Sequence, residues 1–183
     1  MNRRAALLGL LSATVAACTP AAGVKIGPDG LPLPQVYRIA ADGQDPVMFH
    51  FLDGMNALRK AAKVQPVTYN AQLNAAAATH SRDMAIQNRP WHFGSDGSSP
   101  LDRGRRVGFP GRIMGENISE TYETELETLG AWMEEAPTRS IILDKSATLM
   151  GFSYFQESNG KIWWTLVTGA PAAFGSQQLA SAS

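Results

Sequence analysis

Cysteine is almost missing from this sequence, which has one, Cys18, among 183 residues. A single cysteine excludes any disulfide within the chain, so the folded state has to depend on packing and hydrogen bonds. An excess of either charge is also lacking, because 16 basic residues stand against 16 acidic ones. Nucleic-acid binding needs a basic surface, so this balance argues against a nucleic-acid partner.

The common signatures of hydrolases are lacking as well. The sequence contains neither the G-x-S-x-G turn of serine hydrolases nor the H-E-x-x-H helix of zinc peptidases. What is present is a hydrophobic fraction of 44% in a chain of 183 residues. That composition is sufficient for the core of one domain. The length is too short for two domains with a sizeable core each.

The N-terminal sequence MNRRAALLGLLSATVAACTP predicts export. Two arginines precede an apolar run over 5–17 that ends in small residues, which is typical of a secretory signal peptide over 1–17. The ending VAAC resembles the bacterial lipobox, which implies acylation of Cys18 and a lipid anchor in the membrane; a chance cysteine in an ordinary secreted protein is the alternative. Because Thr19 rather than Asp follows Cys18, the resemblance implies the outer membrane, facing the periplasm or the surface.

The remaining sequence divides into a linker, a domain and a tail. Residues 18–45 are rich in Pro and Gly and predict a lipidated N-terminus followed by a linker. Residues 46–170 carry the periodic segments of the domain, and the small, polar residues 171–183 predict a flexible tail.

Helical signals come first in the domain and strand signals come last. Asp45 is the expected N-cap of a first helix that starts at Pro46, Asn70 caps an alanine-rich second helix, and Ser99 caps a short helix over 100–107. An acidic stretch over 119–136 predicts a further long helix. The segments ATLMGFSYFQE and KIWWTLVTG around SNG then predict a β-hairpin. This order favours an α+β fold over alternating βαβ units.

Two titratable side chains stand in segments that suit neither a helix interior nor a polar surface. His92 lies in the loop WHFGSDGSSPLDR, and Glu116 lies among small apolar residues in IMGENI, where a buried carboxylate needs partners. His80, on the inner face of the alanine-rich helix, is interpreted as a core histidine with a satisfied ring nitrogen. His50 is interpreted as a surface residue. Of the pair 134–135, at least one glutamate is a solvated charge.

Five segments occur in the order of a known family: NALR, VTYNAQLNAAAATHSRDMA, HFGSDGSSPLDR, GENI and AWMEEAPTR. Together they resemble the CAP superfamily of cysteine-rich secretory, antigen 5 and pathogenesis-related-1 proteins over residues 49–169, in its disulfide-free bacterial form. The resemblance implies a three-layer α-β-α sandwich whose cleft carries two His and two Glu able to hold a divalent cation. His92 and Glu116 match two of these positions, and Glu135, three residues after Trp132, matches a third.

The fourth ligand position departs from the family. Bacterial members often read SPGHR where this sequence reads EAPTR, so Thr138 stands in place of a histidine, and no HFTQ-like segment supplies another. One His and two Glu prefer oxygen-binding ions such as calcium or magnesium and would bind zinc weakly. His80 could supply a further imidazole. The alternative to a metal is a hydrogen-bonded cluster in which His92 donates to Glu116 or Glu135.

The sequence supports two hypotheses about function. The first is a lipid-anchored cell-envelope protein whose His/Glu cleft binds a small molecule, a lipid or a protein partner. The second is a hydrolase in which His92 and Glu116 activate water for attack on a peptide or ester. Binding is the preferred interpretation, because a general base without a metal that stabilises the electrophile is a weak catalyst.

Overall fold

The computed structural model describes residues 26–31 and 37–172. The chain divides into two units, Met1–Gln35 and Val36–Ser183. In the first unit, residues 26–31 form a turn in which the Gly27 amide donates to the carbonyl of Leu31 over 2.8 Å. The predicted signal peptide, Cys18 and most of the tail lie outside the described residues. Within the described ranges, no helix has the length and apolar character needed to cross a membrane.

The described part of the second unit contains five helices and four strands. They follow in the order α1 (Gln44–Ala61), β1 (Thr68–Tyr69), α2 (Ala71–Gln87), α3 (Pro100–Arg106), β2 (Arg112–Ser119), α4 (Glu125–Glu134), α5 (Ala136–Ile142), β3 (Leu149–Gln156) and β4 (Ile162–Ala170). The strands form one sheet in the order β1-β3-β4-β2. β1 pairs with β3 in parallel, and the other pairs are antiparallel.

One face of the sheet packs against α1, α4 and α5. Side chains alternate between the two faces along a strand, so Phe152 on β3 and Trp164 on β4 point to this face together. Phe51 of α1 stacks on Phe152 at 3.7 Å between ring centroids, and Phe152 stacks on Trp164 at 5.5 Å. All three side chains are buried, and each such aromatic pair adds about 0.5–1.5 kcal/mol beyond the area it buries.

The other face packs against α2 and α3. Leu73 and Ala77 of α2 are fully buried and form a second apolar cluster with Phe109 and Val167. The alanines of α2 let the helix approach closely, so a side chain at Gly151 of β3 would overlap the backbone of α2. With helices on both faces of the sheet, the predicted α+β sandwich of three layers is confirmed.

The predicted N-caps of α2 and α3 are confirmed. The Asn70 side chain accepts a hydrogen bond from the Leu73 amide over 2.9 Å, and Ser99 and Asp102 form a reciprocal capping box at the start of α3. The hairpin of β3 and β4 lies where the alternating pattern placed it.

The ends of the other helices differ from the prediction. α1 begins at Gln44 with Gly43 as its N-cap, so Asp45 lies inside the first turn, where its charge favours the helix dipole. The predicted long helix over 119–136 is shorter, because Thr124 caps α4 and forms a capping box with Glu127. Beyond Glu134 the chain starts a separate helix, α5, which the sequence analysis did not predict.

Candidate functional site

The GEN segment lies on the edge strand β2 and sends its side chains to both faces of the sheet. A Cβ atom on Gly115 would stand 2.8 Å from Ile141 of α5, and Nδ2 of the Asn117 side chain donates to the Thr138 carbonyl of α5 over 3.0 Å. Glu116, between them, points to the opposite face, toward α2 and α3. Its side chain is 2% exposed, so the carboxylate depends on protein partners.

Arg103 of α3 is the first of those partners. One of its terminal nitrogens donates to Oε2 of Glu116 over 2.6 Å. The other donates to the carbonyls of His92 over 3.1 Å and Ser98 over 2.9 Å. The Arg103 side chain is 5% exposed, so a buried charged pair fixes the loop to the sheet. The sequence analysis did not assign Arg103 a role: the capping signal at Ser99 predicts that Arg103 lies in a short helix but not that it is buried.

His92 is the second partner of Glu116. Its Nδ1 lies 2.9 Å from Oε1 of Glu116, and its ring is 53% exposed. If Nδ1 carries the proton that is donated to the carboxylate, Nε2 is left with its lone pair free to accept a hydrogen bond. The imidazole of His92 is therefore half-exposed, and the buried Glu116–Arg103 pair fixes its orientation.

His80 lies beneath this pair on α2. Its side chain is fully buried, and Nε2 is 3.6 Å from Oε1 of Glu116, which is beyond a normal hydrogen bond. Neither ring nitrogen has a hydrogen-bond partner among the described residues. Its expected core position is confirmed. Burial lowers the pKa of His80, and the nearby Glu116 carboxylate and the backbone of Trp91 each raise it and offset part of that effect.

Aromatic side chains flank His92 in the loop that follows α2. The Arg89 guanidinium lies 3.8 Å from the ring centroid of Trp91, and the ring of Phe93 lies 5.2 Å from that of Trp91. Phe93 is 45% exposed. With Gln87 and Gly97 these residues line a shallow pocket of about 380 Å³. We call the half-exposed His92 ring together with Arg89, Trp91 and Phe93 the loop surface.

Glu135 and Thr138 lie in the layer on the other side of the sheet. Glu135 is exposed at the junction of α4 and α5, and in the described parts of the chain no hydrogen bond or ion pair joins its carboxylate to His92 or Glu116. The Thr138 hydroxyl donates to the Trp132 carbonyl over 2.7 Å, which ties α5 to the end of α4. Alternation along β2 explains the separation, because Glu116 and Asn117 face opposite helical layers.

The two remaining candidates lie apart from the loop surface. His50 is 66% exposed, as expected, and its Nδ1 lies 3.4 Å from Oε1 of Glu125. Glu134, the last residue of α4, is exposed.

The residues around Glu116 do not fit a divalent cation. One carboxylate oxygen is bonded to a guanidinium, and the other is bonded to the imidazole of His92. A cation beside Glu116 would have to displace Arg103, which is itself buried and positively charged. Within residues 26–31 and 37–172, no group of three or more His, Cys, Asp or Glu side chains is placed to hold a metal ion.

A mixed four-stranded sheet between two helical layers, with a Gly-Glu-Asn edge strand held to a histidine loop, defines an α-β-α sandwich of the CAP type. The CAP family, described as the Cysteine-rich secretory protein family, matches residues 52–168, and the chain belongs to this family. The family predicted from the five sequence segments is therefore confirmed.

Similar proteins come from several bacteria. Bacillus subtilis (strain 168) protein YkwD is 31% identical over 108 residues, which are 59% of this chain and 41% of YkwD. The chain thus spans less than half of that relative. An extracellular SCP-domain protein from Bacillus anthracis str. Ames aligns over 81% of this chain and 45% of its own, at 19% identity and a TM-score of 0.65. An outer surface protein from Borrelia burgdorferi aligns over 67% of this chain and 91% of its own, at 11% identity and a TM-score of 0.63.

Proposed function

We propose that the protein is a binding module of the cell envelope that engages a ligand or protein partner through its loop surface. The observation that carries this proposal is the bonding of the Glu116 carboxylate. Both of its oxygens are bonded inside the protein, to Arg103 and to His92. Such a carboxylate orients the imidazole, and because it is buried and paired with a guanidinium it is a weak base for activating water.

The composition of the loop surface supports binding. Trp, Phe and Arg side chains that reach the surface are types enriched in recognition sites. Aromatic rings bury large areas with few rotatable bonds, and the Arg guanidinium adds several hydrogen-bond donors. Arg89 and Phe93 each contact Trp91, and all three residues line the shallow pocket. The half-exposed His92 ring adds a polar group that can accept or donate a hydrogen bond.

A hydrolase is the second candidate, and one observation favours it. The bond of 2.9 Å between His92 and Glu116 is the contact with which many hydrolases orient a general base. Against this candidate, no Ser or Thr hydroxyl is hydrogen-bonded to the His92 ring among the described residues. The guanidinium of Arg103 also neutralises the carboxylate that would strengthen the base.

We propose that this module is exported and held at a membrane through an acylated Cys18. The lipobox-like sequence around Cys18 supports this placement, as does the extracellular or outer-surface description of two proteins with the same fold. The outer membrane is the proposed address, because Thr19 follows the cysteine.

Photo-crosslinking in intact cells tests the binding proposal. Phe93, inside the loop surface, is replaced by the photo-crosslinking residue p-benzoylphenylalanine. Leu126, which is 53% exposed on α4, receives the same residue as a control. The proposal expects a discrete crosslinked species from position 93 that disappears when His92→Ala is added, and none from position 126. Equal crosslinking from both positions contradicts it.

A parallel assay separates binding from hydrolysis. The purified protein and its His92→Ala variant are incubated with chromogenic peptides and esters, with His50→Ala as the histidine control. Binding alone predicts no difference in turnover between the three proteins. Turnover that falls at least tenfold in His92→Ala and not in His50→Ala establishes the hydrolase instead.

A further inference from the structure

The two helical layers of the sandwich differ in charge. From the start of α2 to the end of α3 the sequence has five arginines and three aspartates, whereas from the start of α4 to the end of α5 it has four glutamates and one arginine. These layers cover opposite faces of the sheet, so the balanced overall charge is divided between a basic side and an acidic side. We call the exposed side chains Arg82, Ile86, Leu101 and Arg105 of α2 and α3 the basic face.

The acidic side chains in the layer of α2 and α3 are already bonded to protein groups. Their partners lie in the same layer: Asp83 with Ser95 and Gln87, Asp96 with Arg106, and Asp102 with Ser99 and Arg105. The Arg105–Asp102 pair is open to solvent and therefore weak. In the described part of the chain, no carboxylate forms an ion pair with Arg82. The layer therefore keeps positive charge that is available to a partner.

An aromatic ring, and not a carboxylate, contacts the guanidinium of Arg82. The central carbon of this guanidinium lies 5.0 Å from the centroid of the Phe155 ring on β3. Stacking on a ring uses the flat face of a guanidinium and leaves its N–H groups free to donate. Guanidinium groups of this kind bind phosphate oxygens well, because two parallel N–H groups match two oxygens of the anion.

Large apolar side chains lie one helical turn from these arginines. Ile86, four residues after Arg82, is 75% exposed, and Leu101, four residues before Arg105, is 52% exposed. Residues four apart are neighbours on the surface of a helix. One exposed apolar residue needs no explanation, but two pairs of an aliphatic residue and an arginine in the same layer combine apolar and basic contact. This combination is typical of helices that lie at a membrane interface.

A bilayer with anionic lipids satisfies both parts of this surface. Its phosphates accept hydrogen bonds at the level of the headgroups, and aliphatic side chains enter the boundary with the acyl chains. A soluble anion would leave Ile86 and Leu101 in water. The acidic layer of a second copy would match the charge, but contact between unlike faces leaves one face of each kind open and continues into a filament.

We propose that the basic face docks on a bilayer that contains anionic phospholipids, with Arg82 and Arg105 at the phosphates and Ile86 and Leu101 in the interface. The proposal goes beyond the loop surface, to which none of these four residues belongs. It also does not require the acyl anchor proposed at Cys18. Such an anchor keeps the protein close to a membrane, whereas the basic face sets which side of the domain meets it.

Photo-crosslinking to lipid acyl chains tests the proposal on the full-length protein bound to vesicles. Ile86 is replaced by p-benzoylphenylalanine, and Leu126, which is 53% exposed in the acidic layer, is replaced in the control. The vesicles contain phosphatidylglycerol and phosphatidylcholine in equal parts, or phosphatidylcholine alone. Mass spectrometry counts lipid adducts per bound protein molecule. Position 86 should give adducts with the anionic vesicles, and both position 126 and the neutral vesicles should give at least fivefold fewer.

Charge reversal tests the role of the arginines. Arg82→Glu combined with Arg105→Glu should lower the adduct yield at position 86 at least fivefold, because the face then repels the phosphates. Lys60→Glu combined with Lys145→Glu is the matched control. Both lysines are exposed and lie outside α2 and α3, and the change in net charge is the same, so this variant should keep the adducts.

Three results would overturn the proposal. The first is an equal yield of lipid adducts from positions 86 and 126, and the second is a yield at position 86 that does not depend on phosphatidylglycerol. Both come from proteins without charge reversal, so they do not depend on the folding of those variants. The third is crosslinking of position 86 to a second copy of the protein and not to lipid. His92→Ala should keep the lipid adducts, so failure of the loop surface in its own test leaves this proposal intact.

Discussion

Arg103 holds the loop that contains His92 against the sheet through a small number of strong bonds. Its guanidinium neutralises the buried Glu116 carboxylate and ties the backbone carbonyls of Ser98 and His92 to α3. Removing one partner of a buried ion pair leaves the other charge uncompensated, which is far more costly than losing a surface pair. The position of His92 therefore depends on a residue eleven places further along the chain.

Arg103→Met should lower the free energy of unfolding by about 3–5 kcal/mol, because Glu116 stays buried without a cation. Arg105→Met is the matched control on the same helix, since the Arg105 side chain is 75% exposed and its ion pair is with a partly exposed Asp102. Urea unfolding of both variants measures the difference. Equal losses in the two variants would show that the Arg103–Glu116 pair contributes little.

His80 should make stability depend on pH. Burial lowers the pKa of His80 in the folded state below the ordinary histidine value of about 6.5. At acidic pH the unfolded chain therefore binds a proton that the folded protein does not bind. Above about pH 7, His80 is neutral in both states and the free energy of unfolding does not depend on its titration. As the pH falls below the pKa of histidine in the unfolded chain, protonation favours the unfolded state and the free energy of unfolding decreases.

Comparison of wild type with His80→Leu isolates this effect. Between pH 7 and pH 5 the wild type should lose up to about 1.4 kcal/mol per pH unit more than the variant. Urea unfolding at each pH measures the difference, and the interval from pH 8 to pH 9 is the internal control, because imidazoles do not titrate there. Parallel pH profiles from pH 7 to pH 5 would contradict a neutral, buried His80.

At the scale of elements, close contact between α2 and the sheet sets the position of the site. β3 meets α2 at Gly151, where a Cβ atom would overlap backbone atoms of Leu73 and Asn74. The Asn74 side chain also accepts a hydrogen bond from the Phe152 amide over 3.2 Å. This contact brings His80, one to two turns further along α2, next to Glu116.

Gly151→Ala should destabilise the protein by more than about 3 kcal/mol, because backbone atoms of a packed helix cannot move aside as side chains can. Gly130→Ala in α4 is the matched control. No atom lies within 4 Å of the added Cβ there, and alanine in a helix gains about 0.5–1 kcal/mol over glycine. Thermal unfolding distinguishes the opposite signs, and a mild effect at Gly151 would mean that α2 can shift away from the sheet.

For the whole molecule, burial on both faces of one sheet replaces covalent cross-links. All nine residues of β4 are buried, which is typical of a strand covered by helices on both sides. The stacked rings of Phe51, Phe152 and Trp164 fill one face, and α2 covers the other. A domain of this size can reach ordinary stability by packing alone.

Cys18→Ser should move the protein from the membrane fraction to the soluble fraction of cells. Each buried methylene of an acyl chain contributes about 0.8 kcal/mol to membrane binding, so loss of the chains removes the anchor. Fractionation followed by immunoblotting measures the change, with Ser181→Ala in the C-terminal tail as a control. A variant that stays with the membrane would exclude acylation of Cys18 as the tether.

Much of the architecture could be predicted from local signals. The caps at Asn70 and Ser99, the alternating pattern of the hairpin and the order of helices and strands all correspond to elements of the structure. Helix boundaries were less predictable. Thr124 shortened α4 through a capping box, and a separate helix, α5, begins after Glu135, with Pro137 in its first turn.

By itself, the sequence determined the fold class, the family and the importance of His92 and Glu116. Helix caps, periodicity and the GEN segment are local properties of the chain and can be recognised without the structure. Only the tertiary structure decided how the site is built. The alternation of side chains along β2 separates Glu116 from the layer of Glu135 and Thr138, and the packing of α3 brings in Arg103. Contacts between residues that are distant in sequence depend on how the helical layers pack on the sheet. No local sequence pattern encodes which side chains the packing brings together.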